Sequence, residues 1–490
     1  MKKQDIPAGI LPAHNDLFYG GAWHRPRAGL YQPTRNPAEG EDLMDAAQAD
    51  EQDVDAAVRA AQAAFPAWAA MPPRDRAALL RQAAGRLRQH VDELALLDSL
   101  NNGNPVRALK PDVLAAADGL EYFAGLATEV KGETIPMGGD ALNFTLQEPL
   151  GVVARITAYN HPLMFAALRI AAPLAAGNCV VVKSPDQAPL STYRLAELIG
   201  DIFPAGVINF LSGSIACGTA LTTHPLVRKV TLIGGVPTGK AVMASAAQGL
   251  KPVLLELGGK NALIVYPDAD RDAAIEGIVN GMNFTWSGQS CGSTSRVFLH
   301  ESIHDDWLPR IVEAVRARHR PGDPTDPATT MGALVSPAQL RKVEYYVDVA
   351  REEGAQVLCG GRRPGDPQLA PGCFYEPTVL GGVGQDMRIA NEEVFGPVMS
   401  VLAWKDEDAL YEQVNRVDFG LTGSIWTRDL NTAMRAARRI MTGYVWINHT
   451  GQHFLGAPFG GVKQSGIGRE ECFAELLEFT YSKNVHVRLS

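Results

Sequence analysis

Three short stretches carry side chains that a packed core would not choose. In SGQSCGSTSR (287–296) the thiol of Cys291 is flanked by Ser290 and Gly292. These small residues leave the sulfur uncrowded and let a ligand approach the backbone, as a nucleophile requires. A free cysteine is otherwise among the most often buried and inert residues, so the flanks carry the inference. In LLELGGK (254–260) Glu256 stands in an apolar run. Burial there raises a carboxyl toward values useful to a general base, unless the group is a structural glutamate paired with a lysine. In ITAYNHPL (156–163) Asn160 precedes Pro162 at the spacing of a helix N-cap, a role compatible with a catalytic one.

A fourth stretch, IGGVPTGKAVM (233–243), comes within one residue of the phosphate-binding pattern G-x-x-x-x-G-K-[ST] through Gly234, Gly239 and Lys240. Ala241 stands where a magnesium-ligating hydroxyl is needed, so nucleoside triphosphate hydrolysis is the weakest reading. The setting survives: VRKVTLIGG (227–235) reads as a buried strand and TGKAVMASAAQGL (238–250) as a helix opening after a glycine pair. Free N–H groups and the dipole at such a helix start favour an anion, and a dinucleotide pyrophosphate fits as well as a triphosphate. A tight turn without a ligand is the plain alternative.

The surrounding elements must hold these groups in place. ADEQDVDAAVRAAQAAFPAW predicts a helix with Asp53 as its N-cap, and a second helix follows Pro72-Pro73 with the stripe Leu80, Ala83, Leu87, Val91 and Leu94. VKGETIPMGGDALNFTLQEPL (130–150) reads as an extended ribbon with edges open to another subunit. From Gly151, GVVARITAY, CVVVKSP, GVINFLSG, RKVTLIGG and NALIVYP are apolar runs separated by helical segments, which predicts an α/β fold with a parallel, doubly wound sheet. A second α/β series starts near residue 275 with SRVFLHE, PVMSVLAW and TGSIWTRD.

At 490 residues, two or three domains are expected. A net charge of −9 without a long basic run argues against nucleic acid as a partner. The N-terminus lacks an apolar core of signal-peptide length, and no window suits a transmembrane helix, so a cytoplasmic protein without a membrane partner is expected. The six cysteines form no C-x-x-C pair, which suggests neither a disulfide framework nor a metal site.

Taken together, the stretches resemble the NAD(P)-dependent aldehyde dehydrogenase superfamily from about residue 20 to the C-terminus. Six motifs agree in order: Ala158-Tyr159-Asn160, LELGGK, GQSCGSTSR, NEEVFGPV (391–398), GYVWIN (443–448) and PFGGVKQSGIGRE (458–470). The resemblance implies a Rossmann-type cofactor domain (1–129 and 149–257), a second α/β catalytic domain (258–461) and a small β oligomerisation ribbon (130–148 and 477–490). It implies a Cys291 thiolate that attacks a small-molecule aldehyde and an oxyanion held by Asn160 and a backbone N–H. It further implies a thioester hydrolysed by water that Glu256 deprotonates.

For the cofactor, the resemblance places Lys183 at the adenosine ribose, Gly234, Gly235 and Gly239 at the pyrophosphate, and Glu393 at the nicotinamide ribose, with Phe395 beside the ring. Ser184, Gly213 and Tyr159 join this set, while Lys240 becomes an ordinary solvated residue. Asp186 stands where the family often has glutamate; a carboxylate there favours NAD, and Ser184 leaves room for NADP. His161, Trp286, Phe284 and Phe454 are candidates for the substrate funnel, whose aromatic walls suit an aromatic or a cationic aldehyde. A homodimer or homotetramer is implied. The competing readings are transfer of the thioester to coenzyme A, which the presence of Glu256 opposes, and a non-catalytic protein that kept the fold.

Overall fold

The computed structural model describes residues 1–489. Its largest sheet runs, in spatial order, Ala22–His24, Leu17–Tyr19, Ile208–Leu211, Cys179–Lys183, Val152–Ile156, Val227–Ile233, Val253–Glu256 and Gly466–Ile467. The five strands from Ile208–Leu211 to Val253–Glu256 are mutually parallel, and the flanking strands at both edges are antiparallel. Chain order reverses around Val152–Ile156, the first parallel strand, which puts a topological switch point beside Ile156, Lys183 and Ile233. Crevices for ligands open at the carboxyl ends of strands at such points.

A second, seven-stranded sheet runs Gln356–Cys359, Thr378–Gly381, Val398–Trp404, Arg296–His300, Ala262–Val265, Thr422–Trp426 and Tyr444–Ile447. Only the Gln356–Cys359 edge is antiparallel. NALIVYP therefore lies near the middle of this sheet and not with the first series, where VLLE (253–256) takes the last parallel place. Strands covered by helices on both faces are apolar throughout in either sheet, so their composition does not tell which one they join.

The N-terminal helix Glu51–Ala70 is capped by Asp50, whose side chain accepts from the Gln52 and Asp53 N–H groups. Asp53 closes the reciprocal half of this capping box rather than serving as N-cap. The stripe predicted as one helix is split at His90 into Pro73–Gln89 and Val91–Asn102. The third sheet pairs Ala141–Pro149 with Thr480–Arg488 along nine registered positions, with Thr134–Ile135 on the other side. Among the described residues, no helix is long and apolar enough to cross a membrane.

Gly119, in the helix Val106–Leu126, sits so close to the helix Pro162–Leu168 that an added Cβ would lie 1.8 Å from Leu168 Cδ1. A glycine there permits the close approach that brings Asp112 of one helix to His161 at the start of the other.

Candidate active site

Glu256 ends the last parallel strand of the large sheet, and its backbone is clamped from both sides. It pairs with Ile233 on one side and Gly466 on the other. Its carbonyl accepts from Gly234 N–H at 3.0 Å, Leu257 N–H donates to Ser465 carbonyl oxygen at 2.9 Å, and Ser465 Oγ donates to Gly258 carbonyl oxygen at 2.7 Å. Glycine is needed at 258 and 259. A Cβ at 258 would lie 2.1 Å from Glu393 Oε2, and one at 259 would lie 2.7 Å from the Cys291 carbonyl oxygen. This crowding joins the segments that carry Glu256, Cys291 and Glu393.

The Glu256 carboxyl is buried and neither oxygen has a hydrogen-bond partner, so it is not the lysine-paired structural glutamate. An unpaired buried polar group costs roughly 1–3 kcal/mol, which a position chosen for stability would avoid. Burial, reinforced by the nearby Glu470 carboxylate, raises the Glu256 pKa well above the ordinary carboxyl range, against the opposing pull of Arg169. Glu470 lies in a buried network that the sequence did not announce. Arg169 Nη2 is 3.0 Å from Glu470 Oε2 and 3.2 Å from Glu471 Oε1, while Arg155 Nη2 is 3.3 Å from Glu470 Oε1.

Of the six cysteines, all free, five are buried and Cys291 alone is partly accessible. It faces a cavity of about 590 Å³ shared with Phe165, Arg169, Trp286, Trp446, His453, Phe454 and Phe459. Its loop is fixed from behind by Asn261, which donates to the Cys291 carbonyl oxygen at 2.7 Å and the Ser293 carbonyl oxygen at 3.0 Å and accepts from Thr422 N–H at 3.0 Å. Asn283 and Ser287, just before the cysteine, take left-handed backbone conformations with φ of 55° and 51°. Ser287 Oγ is anchored on the Gly332 carbonyl oxygen at 2.7 Å. Burial, then the charges of Glu256 and Glu393, push the Cys291 thiol up to about 12, while the N–H groups of Cys291 and Gly292 favour the thiolate. The resting group is therefore a thiol, and the carboxylate that opposes its ionisation is also a base able to accept its proton.

A second cavity, of about 520 Å³, opens at the switch point and is lined by Tyr159, Lys183, Asp186, Gly234 and Gly235 among others. Lys183 Nζ donates to Asp186 Oδ1 at 2.6 Å. The helix Val236–Ala247 starts here, and Pro237 occupies its first turn. Gly235 also lines a neighbouring cavity of about 530 Å³ together with Glu393. Glu393 Oε1 accepts from Gly259 N–H at 2.8 Å, and Phe395, at φ 54°, meets Tyr159 edge to face at 5.9 Å. Asn160 is buried between Tyr159, on the groove, and His161, on the cysteine cavity. His161 takes the N-cap position without a side-chain bond, so Asn160 does not cap the helix; its carbonyl accepts from Asn104 Nδ2 at 2.9 Å.

Four expected positions lie elsewhere. Phe284 is fully buried in the core of the seven-stranded sheet and does not reach the funnel, which Trp286 and Phe454 do line. The Gly239 N–H is used within its helix by the Gly235 carbonyl, and the missing Cβ makes room for Leu257 instead of a cofactor. Gly213 packs against Ala49 and Cys217, and the Ser184 side chain is buried off the groove. Lys260 is a further group the sequence left unassigned: its ammonium is buried without a partner, and burial brings it down to about 7.

A parallel sheet whose switch point opens on a glycine turn, a helix start and a ribose-type carboxylate is the architecture of nicotinamide-dependent dehydrogenases. The groove fits such a dinucleotide. Glycines leave backbone approachable at its middle, the Lys183–Asp186 pair offers ribose partners at one end, and Glu393 offers an acceptor at the other.

The chain belongs to the aldehyde dehydrogenase family, whose model matches residues 23–485. It is 52% identical over 485 residues to aldehyde dehydrogenase tropH of Talaromyces stipitatus, covering 98% of this chain and 94% of that protein. It is 42% identical to the betaine aldehyde dehydrogenase of Cereibacter sphaeroides, with 93% of each chain covered. Among solved structures, PnpE from Pseudomonas sp. WBC-3 superimposes with a TM-score of 0.95 at 38% identity, covering 97% of this chain and 98% of that one. The NAD+ complex of a Bacillus cereus aldehyde dehydrogenase gives 0.96 at 36% identity, with 99% of each chain covered. The protein is thus an NAD-dependent aldehyde dehydrogenase, and the readings as a coenzyme A-acylating enzyme or a non-catalytic relic are not favoured.

Proposed function

We propose that Cys291 is the nucleophile, that Glu256 is the general base, and that the Asn160 amide with a backbone N–H holds the oxyanion. The single observation carrying this reading is that the one accessible thiol opens on a cavity lined by His161, while Tyr159, two residues earlier, lines the cofactor groove. The thiol proton passes to Glu256 as sulfur attacks the carbonyl carbon, and the oxygen of the tetrahedral adduct is held in the oxyanion site. Lys183, Asp186, Gly234, Gly235, Glu393, Tyr159 and Phe395 would hold NAD, which would supply the two-electron acceptor needed to take the adduct to a thioester. Glu256 gives the thiol proton up to solvent, then draws a proton from the water that attacks the thioester and returns it to the leaving sulfur, which releases the carboxylic acid and the free thiol. The test is reduced-nicotinamide formation by the purified protein with NAD or NADP and aliphatic, aromatic and ammonium-bearing aldehydes. Turnover with acid as product supports the reading, and no turnover by a folded, NAD-binding protein overturns it.

NAD over NADP follows from Asp186, whose carboxylate accepts from a ribose 2′-hydroxyl and repels a 2′-phosphate. Asp186→Ala also frees the Lys183 ammonium from its ion pair. The kcat/KM ratio of NADP to NAD is expected to rise about tenfold, the scale of a unit-charge interaction of about 1–4 kcal/mol near a protein surface. An unchanged ratio would place the 2′ position elsewhere.

The acid limb of kcat/KM should report Glu256. Its folded pKa is raised, so the active carboxylate is lost as pH falls through that raised value, above the usual carboxyl range. Glu470→Gln removes the like charge that contributes to the shift and is expected to move the limb about one pH unit lower. A limb that stays fixed while the protein remains folded counts against Glu256 as the titrating group.

We further propose the division into a cofactor domain (1–129 and 149–257), a catalytic domain (258–461) and a ribbon (130–148 and 477–490). The ribbon strands expose Leu142, Leu146, Tyr481 and Val487, apolar surface that supports a homodimer or homotetramer. A monomer by light scattering at micromolar concentration opposes it. Six free thiols support a reducing compartment, the cytoplasm.

A further inference from the structure

We propose that the Asp112–His161 pair reads a hydroxyl group on the substrate, and that the substrate is a flat, unsaturated aldehyde with a hydroxyl away from its carbonyl. The proposal rests on Cys291 being the nucleophile, because it places the reader on the wall of the cysteine cavity. His161 Nδ1 lies 2.6 Å from Asp112 Oδ2. A carboxylate only accepts, so a ring proton sits on Nδ1, and in that tautomer Nε2 carries the lone pair. Among the described residues, Nε2 has no protein partner. Two aromatic rings also flank the imidazole. Phe165 meets it edge to face at 5.4 Å and Trp286 lies at 5.8 Å, and both line the same cavity.

The rest of the cavity decides between substrate chemistries. A second imidazole repeats the arrangement, with His453 Nδ1 3.1 Å from Glu471 Oε2. A cationic aldehyde would find aromatic faces but no free carboxylate. Asp112 and Glu471 are engaged by histidines, Asp118 is held by Arg88 at 2.7 Å, and a quaternary ammonium has no hydrogen for Nε2. A carboxylated aldehyde would bring like charge toward Asp112 and Glu471, and the guanidinium on this cavity, Arg169, is already paired with Glu470 and Glu471. A hydroxylated unsaturated aldehyde satisfies both halves: its plane packs on Trp286, Trp446 and Phe454, and its O–H donates to Nε2.

The test is kcat and KM of the full-length enzyme with NAD for benzaldehyde, its 2-, 3- and 4-hydroxy isomers, 4-carboxybenzaldehyde and a trimethylammonium aldehyde. At least one hydroxy isomer is expected to exceed benzaldehyde about tenfold or more in kcat/KM, since a site built to bond a hydroxyl rejects the analogue lacking it. His161→Phe should bring that ratio to about one, chiefly through KM, whereas His161→Gln, whose Oε1 can accept the same hydrogen, should keep part of it. Asp112→Leu, which releases the ring, should lower the ratio as well and stands in if the phenylalanine variant does not fold. Benzaldehyde turnover without preference for any hydroxy isomer, preference for the carboxylated or cationic aldehyde, or a ratio that survives His161→Phe overturns the proposal alone. Absence of turnover with every aldehyde overturns the underlying activity, and the proposal with it.

Discussion

Cys291→Ala is expected to lose NADH formation by at least about 10³-fold in kcat, equivalent to about 4 kcal/mol or more of barrier. No other thiol can take over, because the remaining five cysteines are buried and none of them lines the cavity. The loop itself should survive the change. Its position is set by Asn261 on the Cys291 backbone and by Ser287 on Gly332, contacts that alanine leaves intact. NAD affinity measured by calorimetry should therefore stay near that of the wild type while steady-state turnover disappears. Retained turnover would remove the thiol from the chemistry.

Glu256→Gln has the second-largest expected effect and a different signature. Steady-state turnover should fall about 10²- to 10⁴-fold, the usual contribution of a positioned general base. The first turnover should still complete, slowly, and release one NADH per site, because the step that most needs Glu256 is hydrolysis of the thioester. The variant should also fold. Neither Glu256 oxygen has a hydrogen-bond partner and burial already favours the uncharged form, so a neutral amide of the same shape loses no ion pair. An equal loss in the first and later turnovers would confine Glu256 to thiol activation.

Much of this was legible along the chain because the parts are local. Glu256 in an apolar run, Cys291 between small residues, and a glycine pair between a strand and a helix are each defined by their nearest neighbours in sequence. The parallel strands were visible as apolar runs, but NALIVYP was expected in the wrong sheet, since both sheets bury both faces. The charge network behind Glu256 was not legible: Arg155 meets Glu470 across 315 positions and Arg169 meets Glu471 across 302. The Asp112–His161 pair spans 49 positions and depends on two helices packing closely at Gly119, which no local pattern announces. Phe284 shows the converse: it neighbours Trp286 in sequence, yet its ring is buried in the core of the seven-stranded sheet.

The most direct test of covalent catalysis at Cys291 is mass spectrometry of Glu256→Gln, quenched in acid after mixing with NAD and aldehyde. The peptide containing Cys291 should gain the mass of the aldehyde less two hydrogens, the thioester, in proportion to the NADH released in the first turnover. NADH formation with that peptide unmodified, or with the acyl group on another residue, would contradict the account.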